Sequence, residues 1–123
     1  MTGAYRIYNR RKLGEEQESL AVSYLEANGY EIIQRNFYCK AGEIDIIAKQ
    51  EEYLVFIEIR FRSSVANGYP EESVTKRKQN RIIQSARYYM YKMRLSEDTP
   101  VRFDVVAILG TRFRLIKNAF ETR

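Results

Sequence analysis

The chain has 123 residues, of which 45% are hydrophobic and 30% are charged, and it carries a formal net charge of +5 at pH 7. This length and composition fit one folded globular domain, so we interpret residues 1–123 as a single domain and exclude a disordered chain. The sequence contains no histidine, which removes most Ser-His catalysis and zinc chemistry, so a metal would be bound by oxygen ligands, as Mg²⁺ or Mn²⁺ is.

The charge balance and the termini limit the partner and the location. The 21 Lys and Arg residues against 16 acids suit a polyanionic partner such as nucleic acid. No apolar run is long enough to span a membrane, and the basic N-terminal segment is not followed by the apolar region of a signal peptide. We therefore expect a cytoplasmic protein with no membrane partner.

The first half of the chain predicts a helix followed by three strands. Apolar residues recur at three- and four-residue spacing from Leu13 to Asn28, which is typical of an amphipathic helix, and residues 1–12 are expected to form a basic arm or a lead-in to this helix. The segments "YEIIQRNF", "EIDIIAK" and "YLVFIEIRF" are rich in β-branched and aromatic residues and predict strands arranged as a meander.

The second half predicts another helix and a hairpin. Pro70 is a favourable helix start, and the helix is expected to run to about Leu95 with a buried stripe. That stripe consists of Ile82, Ile83, Ala86, Tyr89, Met90 and Met93. Two strands around Gly110 complete the order α-β-β-β-α-β-β, which predicts an α+β fold with a mixed sheet.

Two acids on neighbouring predicted strands are the main chemical signal. If Lys49 pairs with Leu54 next to the turn, the same antiparallel register places Asp45 opposite Glu58 on one face. Like charges at that separation are unfavourable unless they share a proton or a divalent cation, and the composition favours the cation. A solvated face of the sheet is the alternative, and the pattern leaves it open.

A basic side chain follows the acid pair on the same face. The register that joins Asp45 to Glu58 also places Glu43 opposite Arg60. A phosphate that bridges a metal and the guanidinium group would fit beside such a row.

The motifs "GEIDIIA", "LVFIEIR", "PEESVTKRKQ" and "RFDVV" closely resemble the signature of the bacterial YraN family, from Leu13 to Val106. That family is similar to Holliday junction resolvases and to PD-(D/E)xK restriction-endonuclease-like nucleases. The resemblance implies a mixed sheet flanked by helices. It also implies that Asp45 and Glu58 bind Mg²⁺ or Mn²⁺ and that a helical acid, best matched by Glu18, assists them. Gln17 replaces the glycine of that family element, and a solvated helix acid is the alternative for Glu18.

The resemblance also assigns roles to basic residues, with one departure. Arg60 stands where the family motif has lysine, and arginine can stabilise charge but cannot act as a general base. Lys78 is our candidate for a relocated lysine, against the alternative of a surface lysine. Phosphate contacts are expected on the second long helix, from Lys76, Arg77, Lys78, Gln79 and Arg81. Asp104 of "RFDVV" also matches the family, but pairing with a neighbouring arginine would explain it equally well.

Three functions follow as hypotheses. The first is a metal-dependent endonuclease-like protein that acts on branched or structured DNA, with Asp45, Glu58, Arg60, Glu18 and Lys78 as catalytic candidates. The second is a nucleic-acid-binding module that kept the fold but lost turnover when the motif lysine became Arg60. The third is a protein-interaction domain of a DNA-processing assembly. Resolvases act as dimers on two-fold symmetric junctions, which makes a homodimer an oligomeric state to test.

Overall fold

A computed structural model describes the backbone of residues 3–122 and the side chains of residues 13–122. Two helices and a five-stranded sheet make up this part of the chain, in the predicted order. The elements are α1 (Gly3–Ala27), β1 (Glu31–Cys39), β2 (Gly42–Gln50), β3 (Tyr53–Arg62), a 3-10 turn (Pro70–Ser73), α2 (Lys76–Lys92), β4 (Val101–Leu109) and β5 (Arg112–Ile116). Neither helix is long and apolar enough, over the described residues, to cross a membrane.

The sheet is mixed, as predicted. Its strands lie in the order β1-β2-β3-β4-β5, and all neighbours are antiparallel except β3 and β4, which are parallel. A parallel pair requires a long crossover connection, and α2 lies in that connection. The register between β2 and β3 is the predicted one: Lys49 pairs with Leu54, and the ladder continues in step to Ile46 and Ile57.

The two faces of the sheet bury two separate cores. The α1-side core joins Ala21 and Leu25 to strand residues that include Ile46, Val55 and Ile57. The α2-side core joins the helix α2 to the opposite face of the same strands. Its main members are Phe37, Ile44, Ile47, Leu54, Phe56, Ile82, Ile83, Ala86, Tyr89, Phe103 and Val105. Alternation of side chains along each strand therefore supplies both cores at once.

Both helices begin elsewhere than the sequence pattern predicted. Helix α1 begins at Gly3 rather than Leu13, because the preceding basic segment contains no proline and its residues tolerate helix. It follows that the predicted arm, residues 1–12, is helical in its backbone from Gly3, while its side chains and residues 1–2 lie outside the described residues.

The helix predicted from Pro70 is divided in two. A short 3-10 turn ends at Ser73, Val74 turns inward to the α2-side core, and Thr75 then starts α2 by accepting a hydrogen bond from the Lys78 N–H at 3.3 Å. The far end of the prediction also fails, because Met93 terminates the helix and is 52% exposed instead of completing the buried stripe.

A buried ion pair on β4 is hydrogen-bonded to residues before β1 and after β5. Asp104 is fully buried and accepts two hydrogen bonds from Arg102, at 2.9 Å each. The Tyr30 hydroxyl donates to the same carboxylate at 2.7 Å, and the Asn118 N–H donates at 2.9 Å. Burial and the adjacent carboxylate raise the pKa of Tyr30 well above its usual value, so its proton stays in place. Asp104 thus pairs with a neighbouring arginine, the alternative that the sequence left open.

The Asp104 network predicts a large loss of stability on a nearly isosteric change. Asp104→Asn leaves the Arg102 guanidinium, whose side chain is only 11% exposed, without its counter-charge. We expect the free energy of unfolding, measured by urea denaturation, to fall by about 3 kcal/mol. The matched control is Glu71→Gln, which breaks the more exposed Arg114 ion pair and should cost less than about 1 kcal/mol. Equal losses in the two variants would show that burial of the Asp104 pair is unimportant.

Candidate functional site

Asp45 and Glu58 meet at the end of the β2–β3 ladder. They follow the last regular pair, Ile46 and Ile57, in the predicted register, and the Glu58 carboxyl group lies close enough to raise the pKa of Asp45. The Asp45 carboxylate also accepts the Ile59 N–H at 2.8 Å. The Asp45 side chain on β2 therefore accepts a hydrogen bond from the β3 backbone at the point where the regular pairing of the two strands stops.

The strand β2 changes its side-chain alternation at Asp45. Ile46 lies in the α1-side core, whereas Ile44, two residues away, lies in the α2-side core. Residues two apart on a regular strand face the same side, so the backbone is irregular between them. On β1, Asn36 faces this position with a φ of 54°, in the left-handed region that asparagine adopts more readily than most residues. Asp45 is thereby placed where β2 and β3 stop pairing, and it lines a space on each face of the sheet.

The pKa of Asp45 is raised to about 8. Burial is the main cause, followed by the hydrogen bond with Glu58 and its negative charge; the Ile59 N–H and Arg60 act in the opposite direction. Glu43, on the same strand, also has a raised pKa because it is partly desolvated and lies near Asp45 and Glu18. Asp45 and Glu43 therefore bind protons more tightly than free carboxylates do.

Basic residues complete a groove on the α2 side of Asp45. This groove, which we call the acid groove, has a volume of about 370 Å³. It is lined by Gly42, Glu43, Asp45, Glu58, Ile59, Arg60, Lys78, Arg81 and Ile82. Arg60 donates to Glu58 at 2.6 Å, and its Nε is buried with no hydrogen-bond partner among the described residues. An unused buried donor beside Lys78 and Arg81 provides a place for an anionic oxygen.

The structure brings some of the predicted site residues together and places others elsewhere. Asp45, Glu58, Arg60, Lys78 and Arg81 share the acid groove. The remaining three predicted phosphate-contacting residues lie outside it: Lys76 and Arg77 are exposed at the start of α2, and the Gln79 amide donates to the Val74 carbonyl at 3.1 Å.

Glu18 lies on α1, on the opposite side of Asp45 from the acid groove. Its Oε1 accepts hydrogen bonds from Arg35 at 2.8 Å and from Asn36 at 2.7 Å. Residue Asn36 was not singled out from the sequence, and an asparagine within a predicted strand was the available signal, since asparagine tolerates positive φ. The described residues contain no group of three or more Asp, Glu or Cys side chains arranged to hold a metal ion. A site with Glu18 as a third ligand is therefore not preformed.

Two carboxylates alone are a suitable donor set for one kind of cation. Mg²⁺ retains several waters and is commonly held by one or two carboxylates together with substrate phosphates. The Asp45–Glu58 pair supplies two such carboxyl groups, and a cation between them would offset the Glu58 charge that raises the pKa of Asp45. The residues present thus fit Mg²⁺ or Mn²⁺ as a two-carboxylate site.

Comparison with known sequences identifies the family. Residues 17–108 match the model of the uncharacterised protein family UPF0102. The chain belongs to this family. A UPF0102 protein of Lachnoclostridium phytofermentans is 49% identical over 92% of the chain and 96% of its own length. UPF0102 proteins of Clostridium botulinum strain Hall and Clostridioides difficile strain 630 are each 44% identical, covering 93% and 91% of the chain and 98% and 99% of their own lengths, respectively.

Membership of UPF0102 confirms the resemblance to the YraN family that the sequence motifs indicated. The matched range contains Glu18, Asp45, Glu58, Arg60 and Lys78, so the acid pair and its basic neighbours lie within the part of the chain that defines the family. The names of these relatives state no activity.

The raised pKa of Asp45 predicts how stability changes with pH. The folded chain holds this proton up to about pH 8, whereas an unfolded aspartate releases it near pH 3.9, so this carboxyl destabilises the fold progressively as the pH rises through that window. Asp45→Asn removes the effect. We expect the stability of the variant relative to wild type, from urea denaturation, to rise by at least about 1.4 kcal/mol between about pH 5 and pH 8.

The control for the pH experiment is Glu52→Gln, which removes an exposed acid from the turn between the same two strands. Its stability relative to wild type should stay flat over this pH range. A flat difference for Asp45→Asn as well would contradict the raised pKa.

Proposed function

We propose that this chain is a divalent-metal-dependent, nuclease-like protein that hydrolyses phosphodiester bonds in structured nucleic acid, with Asp45 and Glu58 holding Mg²⁺ or Mn²⁺. The observation that carries the proposal is the contact of two carboxyl groups in a groove that also contains Arg60, Lys78 and Arg81. Two neighbouring carboxyl groups are suited to bind a cation, and the basic side chains beside them are suited to bind an anion. A phosphodiester coordinated to a divalent cation is a ligand that uses both.

The chemistry divides between the cation and the chain. A bound divalent cation supplies Lewis acidity, which activates water and stabilises charge on a phosphoryl oxygen. Arg60 has an unpaired, buried Nε with which to bind a non-bridging phosphate oxygen, but a guanidinium group does not act as a general base. Lys78 lies in the same groove and is the candidate for the role that lysine has in the related motif.

The family assignment supports a DNA substrate by resemblance. The YraN family is similar to Holliday junction resolvases, which favours branched or otherwise structured DNA and a homodimer acting on two-fold symmetric junctions. The net positive charge of +5 agrees with a polyanionic partner.

A second candidate is a nucleic-acid-binding module without turnover. Arg60 binds Glu58 at 2.6 Å, so a permanently charged side chain already neutralises one of the two carboxylates that would hold the cation. In this alternative the basic residues bind the phosphate backbone, and the acid pair serves only to position Arg60.

Thermal unfolding with and without Mn²⁺ tests the metal site. With Mn²⁺ at about a hundred times its Kd, the wild type should gain about 10 °C in Tm, because the cation binds the folded chain only. Asp45→Asn and Glu58→Gln should each abolish the gain, whereas Glu52→Gln, in the exposed turn at the other end of the two strands, should retain it. An equal gain in all four proteins would place Mn²⁺ elsewhere.

Cleavage assays separate the two candidate functions. Branched, single-stranded and linear duplex DNA are incubated with the wild type, Glu58→Gln and Arg60→Lys in Mg²⁺ or Mn²⁺. Metal-dependent cleavage by the wild type and its loss in Glu58→Gln is the result expected of a nuclease. Cleavage that appears only in Arg60→Lys would support the binding module, and no cleavage by any protein despite a Mn²⁺ shift would reject the nuclease.

A further inference from the structure

A second cavity approaches Asp45 from the α1 side of the sheet. It has a volume of about 690 Å³, which is within the usual range for a small-molecule site. Its walls include Gln17, Glu18, Asn36, Tyr38, Asp45 and Phe61. Asp45 and Ile59 belong to this cavity and to the acid groove, so the two spaces meet at the same carboxylate from opposite faces of the sheet.

The charge of this α1-side cavity differs from that of the acid groove. Its described lining contains the acids Glu15, Glu18 and Asp45 and no lysine or arginine. A phosphate group finds no basic partner in the described lining of this cavity, whereas the groove on the other face offers it Arg60, Lys78 and Arg81. A bound nucleotide would therefore keep its phosphate in the acid groove and leave this cavity to an uncharged part.

Aromatic and amide groups in the cavity are suited to a flat polar ring. Phe37 faces the α2-side core, so alternation along β1 turns Tyr38 towards the α1 side, where it is 69% exposed. Phe61 is partly buried on the same side. The Oε1 of Gln17 is buried and has no hydrogen-bond partner among the described residues, so an acceptor is available for a ligand donor.

From these features we infer that the α1-side cavity receives an unpaired nucleobase, stacked on Tyr38 with an exocyclic amino group donating to Gln17, while the attached phosphate lies in the acid groove. This inference rests on the proposed function and adds the substrate class. A paired base inside a duplex cannot enter without being turned out of the stack, which costs a few kcal/mol in regular DNA and least where the base is already unpaired. The preferred substrates are therefore single strands and branch points with unpaired nucleotides.

Binding in EDTA tests the cavity without cleavage or metal. Fluorescence anisotropy compares a short labelled oligodeoxycytidylate with an abasic strand of the same length and charge. Tyr38→Ala should weaken binding of the cytosine strand roughly tenfold, the lower range for loss of one stacked base, and leave binding of the abasic strand unchanged. Tyr38→Phe keeps the ring and should bind the cytosine strand as the wild type does.

Tyr91→Ala is the matched control, because Tyr91 is 81% exposed near the end of α2 and does not line the cavity. It should leave the affinity for both strands unchanged. Equal weakening of cytosine and abasic strands by Tyr38→Ala, no effect of this variant, or no strand binding by the wild type would each overturn the inference. If Tyr38→Ala keeps the gain in Tm with Mn²⁺, the failure concerns the nucleobase site alone. If the wild type shows no gain in Tm with Mn²⁺, the proposed metal site is contradicted instead.

Discussion

The contact between Asp45 and Glu58 is the constraint around which this structure is arranged. The β2–β3 register brings two like-charged groups together, and burial makes their joint ionisation unfavourable. The chain compensates locally: Ile59 donates its N–H to Asp45, and Arg60 binds Glu58. Each interaction also affects the site. The Ile59–Asp45 hydrogen bond lies where the pairing of β2 with β3 stops, and the Arg60–Glu58 ion pair brings a guanidinium group into the acid groove.

Interruption of the ladder gives Asp45 its position between two environments. On the α2 side, basic side chains lie beside the acids. On the α1 side, the cavity contains acids, aromatic rings and the unpaired amide oxygen of Gln17. The buried Asp104 is a useful contrast. Its charge is fully matched by Arg102, Tyr30 and a backbone N–H, so it has no remaining need for a ligand. Burial is therefore common to both acids, whereas a neighbouring acid distinguishes Asp45 from Asp104.

The parts of the fold set by local pattern were predictable from the sequence. A tight turn between two strongly β-forming segments fixed the pairing of Lys49 with Leu54, and therefore the meeting of the two acids. Helical spacing correctly predicted burial of Ile82 and Ala86, but it carried the helix too far at both ends because capping by Thr75 and exposure of Met93 depend on tertiary context.

Features that depend on distant parts of the chain were not predictable. Glu18 accepts hydrogen bonds from Arg35 and from Asn36, which lies on β1 with a positive φ. The hydroxyl that binds Asp104 comes from Tyr30, 74 residues earlier. No spacing rule relates such residues, because their contacts follow from how the helix α1 and the sheet edge pack.

The most direct measurement of the central interaction is a double-mutant cycle on the free energy of unfolding, with Asp45→Asn, Glu58→Gln and the double variant in EDTA at about pH 9. If the two carboxylates repel each other across β2 and β3, the changes in free energy of unfolding will be non-additive by about 1 kcal/mol or more. Each substitution will stabilise the fold more when the other acid is present than when it has been replaced. Additive effects within about 0.3 kcal/mol would mean that the two groups do not interact, and would contradict the account.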